Sequence, residues 1–343
     1  MSQTLKAVLV GCGHIAGLWA KALAKRQDVE IVALADVDQE RAQNFADAHD
    51  LNCAVYDSLD QAILAVKPDL VLEIAVPEVR AELVSLALRH GCHVLSEKPL
   101  AATLAQAKDL VDLAARQDRV FAVMQNRRFN AGGRAMRRAI ADGRLGALGF
   151  ISADLFNAPH PGGFRETMAH PLLIDMAIHT FDQARFYTGA DAVSVYCHAF
   201  NTPGSWWRGD AAASCIFEMS DGSTFSYRGC WTAHGQPGPW DSEWRIIGSS
   251  ASLRWDGKSA PLVDIPDIET GKATGAFFHP YERQSLAIDE GAPDPHEVCL
   301  HHMIDAIQSG TQPETAASDN IKSLAMVFAA IDSAEKGKKL DIA

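Results

Sequence analysis

The sequence predicts two domains: an α/β domain built on a doubly wound parallel sheet, then an α+β domain with a large, mostly antiparallel open sheet. Up to residue 125, short apolar strands alternate with amphipathic helices, which favours a parallel sheet with right-handed crossovers. Beyond residue 148, strand patterns follow one another with turn residues between them. A length of 343 residues also favours two domains. We therefore predict domains at 1–125 and 126–343, with a C-terminal helix that packs back on the first domain.

Composition limits the partners and the compartment. The net charge of −12 and the lack of any basic tract argue against binding to nucleic acid or to an anionic membrane surface. The seven cysteines are scattered and form no C-x-x-C pair, which is typical of small buried residues in a reducing compartment. The first residues lead directly into a strand, which leaves no room for a signal peptide. We therefore expect a cytoplasmic protein without a membrane span.

The first strand, Val8–Val10, ends in a glycine-rich turn with the pattern G-x-G-x-x-A, and a helix follows. Gly11 permits the tight turn, Gly13 lets the backbone approach a pyrophosphate, and the small Ala16 allows close packing of helix on strand. Backbone N–H groups at the start of that helix then face the phosphates. The turn therefore predicts dinucleotide binding by a Rossmann fold, through Gly11, Gly13, His14, Ile15 and Ala16.

The second strand ends at Asp36, about twenty residues beyond the turn, where a carboxylate accepts both hydroxyls of an adenosine ribose. An enzyme that prefers NADP would need a basic or hydroxyl side chain here for the extra phosphate. Val37 provides neither, and Asp36 and Asp38 would repel a phosphate. NAD is therefore the expected cofactor, and NADP is the less favoured alternative.

The remaining elements of the first domain continue the alternation. Pro68, Pro77 and Gly91 break or end them in the manner of turn residues and helix caps. We predict strands at 51–55, 70–76, 93–95 and 120–124, and helices at 58–66, 79–90 and 102–116.

The triplet Glu97-Lys98-Pro99 follows one of these strands, at the sheet edge where ligands of parallel sheets bind. Oxidation of an alcohol needs a base for the hydroxyl proton. In a partly desolvated cleft beside a cationic nicotinamide, the ammonium of Lys98 is disfavoured, so the amine is suited to that task. The alternative is a solvated surface lysine paired with Glu97.

Four features together resemble the glucose-fructose oxidoreductase/inositol dehydrogenase (Gfo/Idh/MocA) family. They occur in the order and spacing of that family and span nearly the whole chain. The resemblance implies that Lys98 takes part in proton transfer and that Glu97 contacts the nicotinamide ribose. The features are the G-x-G-x-x-A turn, Glu97-Lys98-Pro99, Asn126-Arg127-Arg128-Phe129 and Asp175-x-x-x-His179-x-x-Asp182.

The sequence departs from the family pattern in one loop. The family often has Thr-Pro after the preceding strand and a histidine a few residues later, whereas this chain has Val76-Pro77, with Arg80 or Ala81 near the place of the histidine. A cofactor contact at Val76 is expected from its position, but the departure puts the contacts of this loop in doubt.

In the second domain a helix at 133–142 precedes a series of strand patterns. If helices cover only one face of this sheet, the other face needs a partner, and a second subunit is the simplest one. We therefore predict a homodimer or homotetramer formed through the open face. The strands are expected at 150–156, 193–200, 211–219, 224–231, 243–247 and 252–255.

A helix at Leu172–Tyr187 interrupts these strands, and its Asp175, His179 and Asp182 are spaced four and three apart, on one helical face. An acid and a histidine so placed form either a hydrogen-bonded pair in the core or part of an active site. The resemblance implies that His179 bonds the reacting hydroxyl or shares its proton and that Asp175 holds the substrate. Asp182 then orients His179 or braces the helix. Whether Lys98 or His179 is the base stays open, since both can titrate near working pH.

Other substrate contacts are expected near these residues. Asn126 or Arg127 is suited to binding substrate hydroxyls, and the alternative is that Arg127 and Arg128 anchor the domains by salt bridges. Arg165, in a glycine-rich loop, is a candidate lid residue that touches the substrate. The histidines at 279, 296, 301 and 302 lack metal-ligand spacing, so we expect no metal site.

The resemblance implies an NAD-dependent oxidoreductase that acts on a secondary hydroxyl of a sugar, sugar derivative or cyclitol. Aromatic residues late in the chain suit the C–H faces of such rings, although core packing explains most of them equally well. Two alternatives remain. One is a glycosidase or epimerase that oxidises transiently and returns the hydride; the other is a non-catalytic sensor of NAD or sugar with the same fold.

Overall fold

The computed structural model describes residues 4–342; the first three residues, on which the expectation of no signal peptide partly rests, lie outside the described residues. The chain divides into two compact units. The first contains the residues up to Asn126 together with Pro293–Leu324, and the second contains Arg127–Ala292 and the residues from Ala325 onward. The segment Pro293–Leu324 therefore belongs to the first unit.

The first unit contains a six-stranded parallel sheet in the order β3-β2-β1-β4-β5-β6, which confirms the predicted Rossmann arrangement. Its strands are β1 (Leu5–Val10), β2 (Val29–Ala35), β3 (Ala54–Tyr56), β4 (Leu70–Glu73), β5 (His93–Ser96) and β6 (Phe121–Val123). Its helices before residue 126 are α1 (Ala16–Leu23), α2 (Gln39–Ala48), α3 (Leu59–Val66), α4 (Pro77–Arg89) and α5 (Leu104–Arg116).

The central strands of this sheet are buried on both faces, as expected of a parallel sheet covered by helices. All four residues of β4 are fully buried, and so are the last residues of β1. Side-chain caps begin three of the helices: Asp38, Ser58 and Thr103 each accept a hydrogen bond from a backbone N–H of the first turn. Because all six strands are parallel, their carboxyl ends and the loops after them lie at one edge of the sheet.

Helix α9 (Pro295–Ser309) packs against α1 in the first unit. Lys25 pairs with Glu297 at 2.5 Å, and Arg26 pairs with both Asp28 and Asp305 at 2.6 and 2.8 Å. Ion pairs at the surface thus accompany the apolar contact between the two helices.

The second unit contains a nine-stranded sheet in the order β14-β13-β12-β11-β7-β10-β9-β8-β15. All neighbouring pairs are antiparallel except β7 and β10, so the predicted mostly antiparallel sheet is confirmed. The strands are β7 (Leu148–Phe156), β8 (Ala192–Phe200), β9 (Ala212–Met219), β10 (Thr224–Cys230), β11 (Glu243–Gly248), β12 (Ser252–Trp255), β13 (Leu262–Pro266), β14 (Tyr281–Ser285) and β15 (Leu340–Asp341).

One helix of the second unit is buried over nearly its whole length. A π-helical segment, Leu172–Ala177, continues directly into α7 (Ile178–Thr188), in which residues 178–187 are all buried. Phe181 of α7 packs its ring on Phe217 and Tyr227 of the sheet, with centroids 4.8 and 5.2 Å apart. The other helices are α6 (Ala131–Ala141), α8 (Ile268–Thr274) and α10 (Ala317–Lys336), the last shared between the two units.

The opposite face of the nine-stranded sheet is open to solvent. Alternate residues of β9 are buried and exposed, which is the pattern of a sheet covered on one side only. Within residues 4–342, no helix combines the length and the apolar character that crossing a membrane requires.

Candidate functional site

The glycine-rich turn between β1 and α1 is shaped for a dinucleotide. Gly11 has a φ of +91°, and a Cβ there would lie 2.7 Å from the backbone nitrogen of Ala75, so only glycine fits. A Cβ on Gly13 would meet nothing within 4 Å, so the space beside Gly13 is open. No acidic residue lies in the first turn of α1, which keeps the positive end of its dipole available for an anion.

Asp36, directly after β2, is buried and hydrogen-bonded at both carboxylate oxygens. It accepts hydrogen bonds from the backbone N–H of Cys12 at 2.8 Å and of Asp38 at 3.0 Å. Arg41 of α2 donates to both of its oxygens, through Nε at 3.1 Å and through Nη2. Burial raises the pKa of Asp36, but these hydrogen bonds outweigh burial and leave the pKa below its ordinary value.

The pairing of Arg41 with Asp36 is a feature that the sequence reasoning missed. The sequence places Val37 and Asp38 beside the adenosine ribose, whereas the basic residue comes from the first turn of the next helix. Asp36 and Arg41 are five residues apart across a helix start, a spacing that permits the contact but does not by itself predict it. Arg41 is half exposed, so its contact with Asp36 is open to exchange with a ligand.

A cavity of about 580 Å³ connects the glycine-rich turn with Asp36 and with the loop after β4. Gly11, Gly13, Asp36, Arg41 and Val76 all line it, so the predicted cofactor residues of three different strand ends share one space. These residues fit the adenosine end and the phosphates of a dinucleotide.

Glu97 and Lys98 follow β5 at the same sheet edge, and both are partly buried. The backbone N–H of Glu97 donates to the carbonyl of Glu73 at 2.9 Å, which fixes the start of the triplet to the end of β4. The Glu97 side chain accepts a hydrogen bond from the N–H of Lys98 at 3.2 Å. The triplet is therefore held by its backbone beside the strand that ends at Glu73.

The loop after β4 contains the departure from the family pattern. Val76 begins α4 as its N-cap residue without a side-chain hydrogen bond, and it is exposed. Arg80, three residues into the helix, is buried and pairs with Glu73 through Nε at 2.6 Å. Burial raises the pKa of Glu73, while the charge of Arg80 and its hydrogen bond oppose that rise.

In the second unit, Asp175 lies in the π-helical segment and His179 in the first turn of α7. The predicted helix is therefore present, but the residues around Asp175 are wound more widely than in an α-helix. π-Helical turns are rare in proteins overall, and those that do occur are often found at functional sites. Arg165 donates from Nε to Asp175 at 3.0 Å, so two predicted substrate-binding residues contact each other.

The third polar residue of this helix has a different environment. Asp182 is buried and receives two hydrogen bonds from Arg128, each 2.7 Å long. This bidentate pair braces α7 against the segment that follows β6. His179 is also buried on the same helix.

Asn126 and Arg127 are placed in different surroundings. The amide nitrogen of Asn126 lies 3.2 Å from the imidazole nitrogens of His296, within the first unit. Arg127, in the second unit, donates to the sulfur of Met176 at 3.5 Å. Its other terminal nitrogen, Nη1, is buried and has no hydrogen-bond partner within residues 4–342. Burial lowers the pKa of Arg127.

The cysteines, histidines and acids show no metal centre in the described part of the chain, where no group of three such side chains is placed to hold an ion. All seven cysteines are free thiols, and five of them are buried. Burial and the charge of Asp36 raise the pKa of Cys12 to about 12, so its thiol stays protonated beside the glycine-rich turn.

Two family profiles match the chain. Residues 5–125 match an oxidoreductase family with an NAD-binding Rossmann fold, and residues 134–254 match the GFO/IDH/MocA C-terminal domain. The chain belongs to the Gfo/Idh/MocA oxidoreductase family. The predicted family resemblance is thereby confirmed, and with it an NAD-binding oxidoreductase fold.

Relatives within this family include enzymes of sugars and cyclitols. The chain is 33% identical over 211 residues to D-glucoside 3-dehydrogenase of Escherichia coli, over 60% of each chain. It is 24% identical to inositol 2-dehydrogenase of Rhizobium meliloti, over 99% of this chain and all of the relative. An oxidoreductase of Agrobacterium radiobacter, solved with NAD+, L-tartaric acid and magnesium, has the same fold, with a TM-score of 0.85, 22% identity and 99% coverage of both chains.

Proposed function

We propose that this protein is an NAD-dependent oxidoreductase that transfers a hydride between the nicotinamide and the carbon that carries a secondary hydroxyl of a sugar, sugar derivative or cyclitol. The observation that supports it best is the position of Lys98. This lysine lies at the sheet edge that also contains a glycine-rich turn fitted to a dinucleotide. The similarity to sugar and inositol dehydrogenases supports the substrate class.

In this proposal the residues of the first unit hold the cofactor. The glycine-rich turn and the start of α1 bind the pyrophosphate, Asp36 the adenosine ribose, and Glu97 the nicotinamide ribose. The bound nicotinamide supplies the hydride acceptor.

The proton chemistry belongs to Lys98 and His179. Lys98 or His179 removes the proton from the substrate hydroxyl, and the other holds that oxygen by a hydrogen bond. Asp175 positions the substrate, and Asn126, Arg127 and Arg165 bind its other hydroxyls. The substrate-binding role of Arg127 is supported by its Nη1, which is buried without a hydrogen-bond partner among the described residues and is therefore suited to donating to a ligand oxygen.

The test is NADH absorbance with a panel of sugars and polyols. Lys98→Ala should lower kcat by about 10²- to 10⁴-fold, the usual contribution of a general base. Lys108→Ala, an exposed lysine on α5, is the matched control and should behave as wild type. Tightly retained NAD with no net NADH would favour the redox-neutral glycosidase or epimerase, and NAD binding with no turnover of any compound would favour the sensor.

We further propose NAD rather than NADP as the cofactor, because Asp36 and Asp38 bring two carboxylates to the adenosine ribose and the guanidinium of Arg41 is already paired with both of them. Because Arg41 occupies the Asp36 carboxylate, the test of this preference uses variants of both residues. Arg41→Ala frees the Asp36 carboxylate for the ribose hydroxyls, so KM for NAD should fall and the NAD/NADP ratio of kcat/KM should rise. Asp36→Ala should lower that ratio. A preference for NADP in the wild type would contradict the proposal.

We also propose a homodimer or homotetramer that covers the open face of the nine-stranded sheet. The exposed apolar side chains of this face support it, because soluble proteins rarely leave large apolar patches in water.

A further inference from the structure

We propose that Arg80 is a positioning residue that holds the Lys98-Pro99 segment in fixed relation to the glycine-rich turn. The inference rests on the proposed function in one respect, namely that Lys98 is the residue that handles the substrate proton. Arg80 lies in the loop-and-helix segment where the sequence departs from the family pattern, with Arg80 or Ala81 near the place of the family histidine.

The guanidinium of Arg80 binds three chain segments at once. Its Nε donates to the carboxylate of Glu73 at 2.6 Å. Nη1 donates to the carbonyl oxygen of Pro99 at 2.8 Å, and Nη2 donates to the carbonyl oxygen of Ala75, also at 2.8 Å. The planar fork of an arginine makes such directed bonds, which the single ammonium of a lysine cannot match.

Each of these contacts leads to a functional segment. Pro99 directly follows Lys98, so the bond to its carbonyl fixes the backbone next to the proposed base. Ala75 is the residue whose backbone nitrogen leaves no room for a Cβ at Gly11. Arg80 therefore connects the lysine segment to the loop that presses on the glycine-rich turn.

Glu73 completes the arrangement from the strand side. Its second carboxylate oxygen accepts the N–H of Ala75 at 2.9 Å, and its backbone carbonyl accepts the N–H of Glu97. Glu73 is fully buried, and Arg80 is 2% exposed. Such a pair adds little net stability, because desolvation of both ions offsets their attraction. Apolar side chains could fill the same space, but they could not make the hydrogen bonds by which Arg80 connects three chain segments.

The test separates position from stability. The double variant Glu73→Met/Arg80→Met removes both charges with side chains of similar length and leaves no buried ion unpaired. Arg80→Lys retains the charge but loses the fork. Arg89→Met changes an exposed arginine at the end of the same helix and is the matched control.

We expect both Arg80 variants to remain folded by circular dichroism, with kcat lowered about 10- to 100-fold and a smaller change in KM for the substrate, as misplacement of a catalytic group produces. Arg89→Met should retain the kcat of the wild type. Wild-type kcat in both Arg80 variants would overturn the proposal. If the double variant does not fold, Arg80→Lys decides the question by the same measurement.

A second readout does not depend on activity. In protein with ¹³C-methylated lysines, the signal of Lys98 is assigned from its loss in Lys98→Arg. All spectra are recorded with NAD added. The Lys98 signal of the Arg80 variants should then differ in chemical shift from that of the wild type, and the signal of Arg89→Met should match the wild type. A Lys98 signal at the wild-type position in the Arg80 variants would overturn the proposal. If the wild type oxidises no compound of the panel, the proposed function fails, and the Lys98 signal still decides the role of Arg80.

Discussion

The two faces of the nine-stranded sheet are made by the same strands and have opposite environments. Phe217 on β9 is fully buried under α7, while its neighbour Ile216 points the other way and is 52% exposed. Bidentate Arg–Asp pairs occur in both environments: Asp182 of the buried helix α7 pairs with Arg128, and Asp154 pairs with Arg228 on the open face of the sheet. The comparison shows that residue type alone does not distinguish the two environments, because apolar side chains and ion pairs occur in both. The extent of burial decides how much each side chain contributes to the free energy of unfolding.

The largest expected effect comes from truncation of an aromatic residue on the covered face. Phe217→Ala should lower the free energy of unfolding by about 3–5 kcal/mol, because it removes a ring that packs on Phe181 and leaves a cavity. Ile216→Ala, one residue away, should cost less than about 0.5 kcal/mol. Urea unfolding of dilute, single-chain protein is the measurement. Equal losses in the two variants would mean that the open face is also packed within one chain.

The ion pairs give a second contrast. Asp182→Ala should cost about 3–5 kcal/mol, since it takes the carboxylate from a buried guanidinium. Asp154→Ala should cost less than about 1 kcal/mol, because Arg228 remains in water. The same unfolding experiment measures both, and a large loss in Asp154→Ala would show that solvent does not reach that pair.

The open face also predicts association. Ile216 and Tyr196 are cross-strand partners, 52% and 45% exposed, and form part of the apolar area that a second copy would cover. Ile216→Asp places a charge there and should weaken self-association more than tenfold, which corresponds to about 1.4 kcal/mol. Sedimentation over a range of concentrations tests this, with Leu64→Asp, an exposed position on α3, as control. A wild type that stays a single chain at micromolar concentration would rule out the proposed interface.

A partly buried ion pair in the first unit, Arg26 with Asp28, provides the smallest expected effect. Hydrogen bonds from Arg26, and further ones from Gln308, lower the pKa of Asp28 from 3.8 to about 2. A carboxyl whose pKa is lower in the folded than in the unfolded state contributes stability above the unfolded value and loses it as pH falls through the folded value. Wild type should therefore lose stability more steeply than Asp28→Asn between pH 3.8 and about 2.

Urea unfolding at several pH values checks the Asp28 prediction, with Asp109→Asn on the exposed side of α5 as control. Identical pH slopes in wild type and Asp28→Asn would contradict it.

Most of the fold was predictable because its signals are local. The glycine-rich turn, the alternating strands and helices, and the antiparallel strands up to residue 255 all depend on short-range patterns. Strands β13, β14 and β15 were not predicted. Two of the five residues of β14 are charged and none is buried, and β15 has only two residues, so neither shows a burial pattern. Backbone hydrogen bonds to the neighbouring strands, which hydrophobic periodicity does not reveal, hold β14 and β15 in the sheet.

The positions of the candidate site residues could be predicted from the sequence, but their hydrogen bonds could not. The sequence places Asp36, Glu97 and Lys98 at strand ends, because parallel topology dictates it. Nothing in the spacing shows that Arg41 covers Asp36 or that Arg80 reaches Pro99, since these contacts depend on how loops from different strands meet. The π-helical winding around Asp175 is equally invisible, because periodicity cannot distinguish it from an α-helix.

Strand β7 has a consequence for the order of folding. It lies between β11 and β10 and so joins the consecutive strands β11–β14 to the consecutive strands β8–β10. Its residue Asp154 pairs with Arg228, 74 positions later. Closing so long a loop is slow, whereas the two groups of neighbouring strands form from nearby contacts. We therefore expect the continuous sheet to form only when β7, an early segment of the chain, inserts between these two later groups of strands.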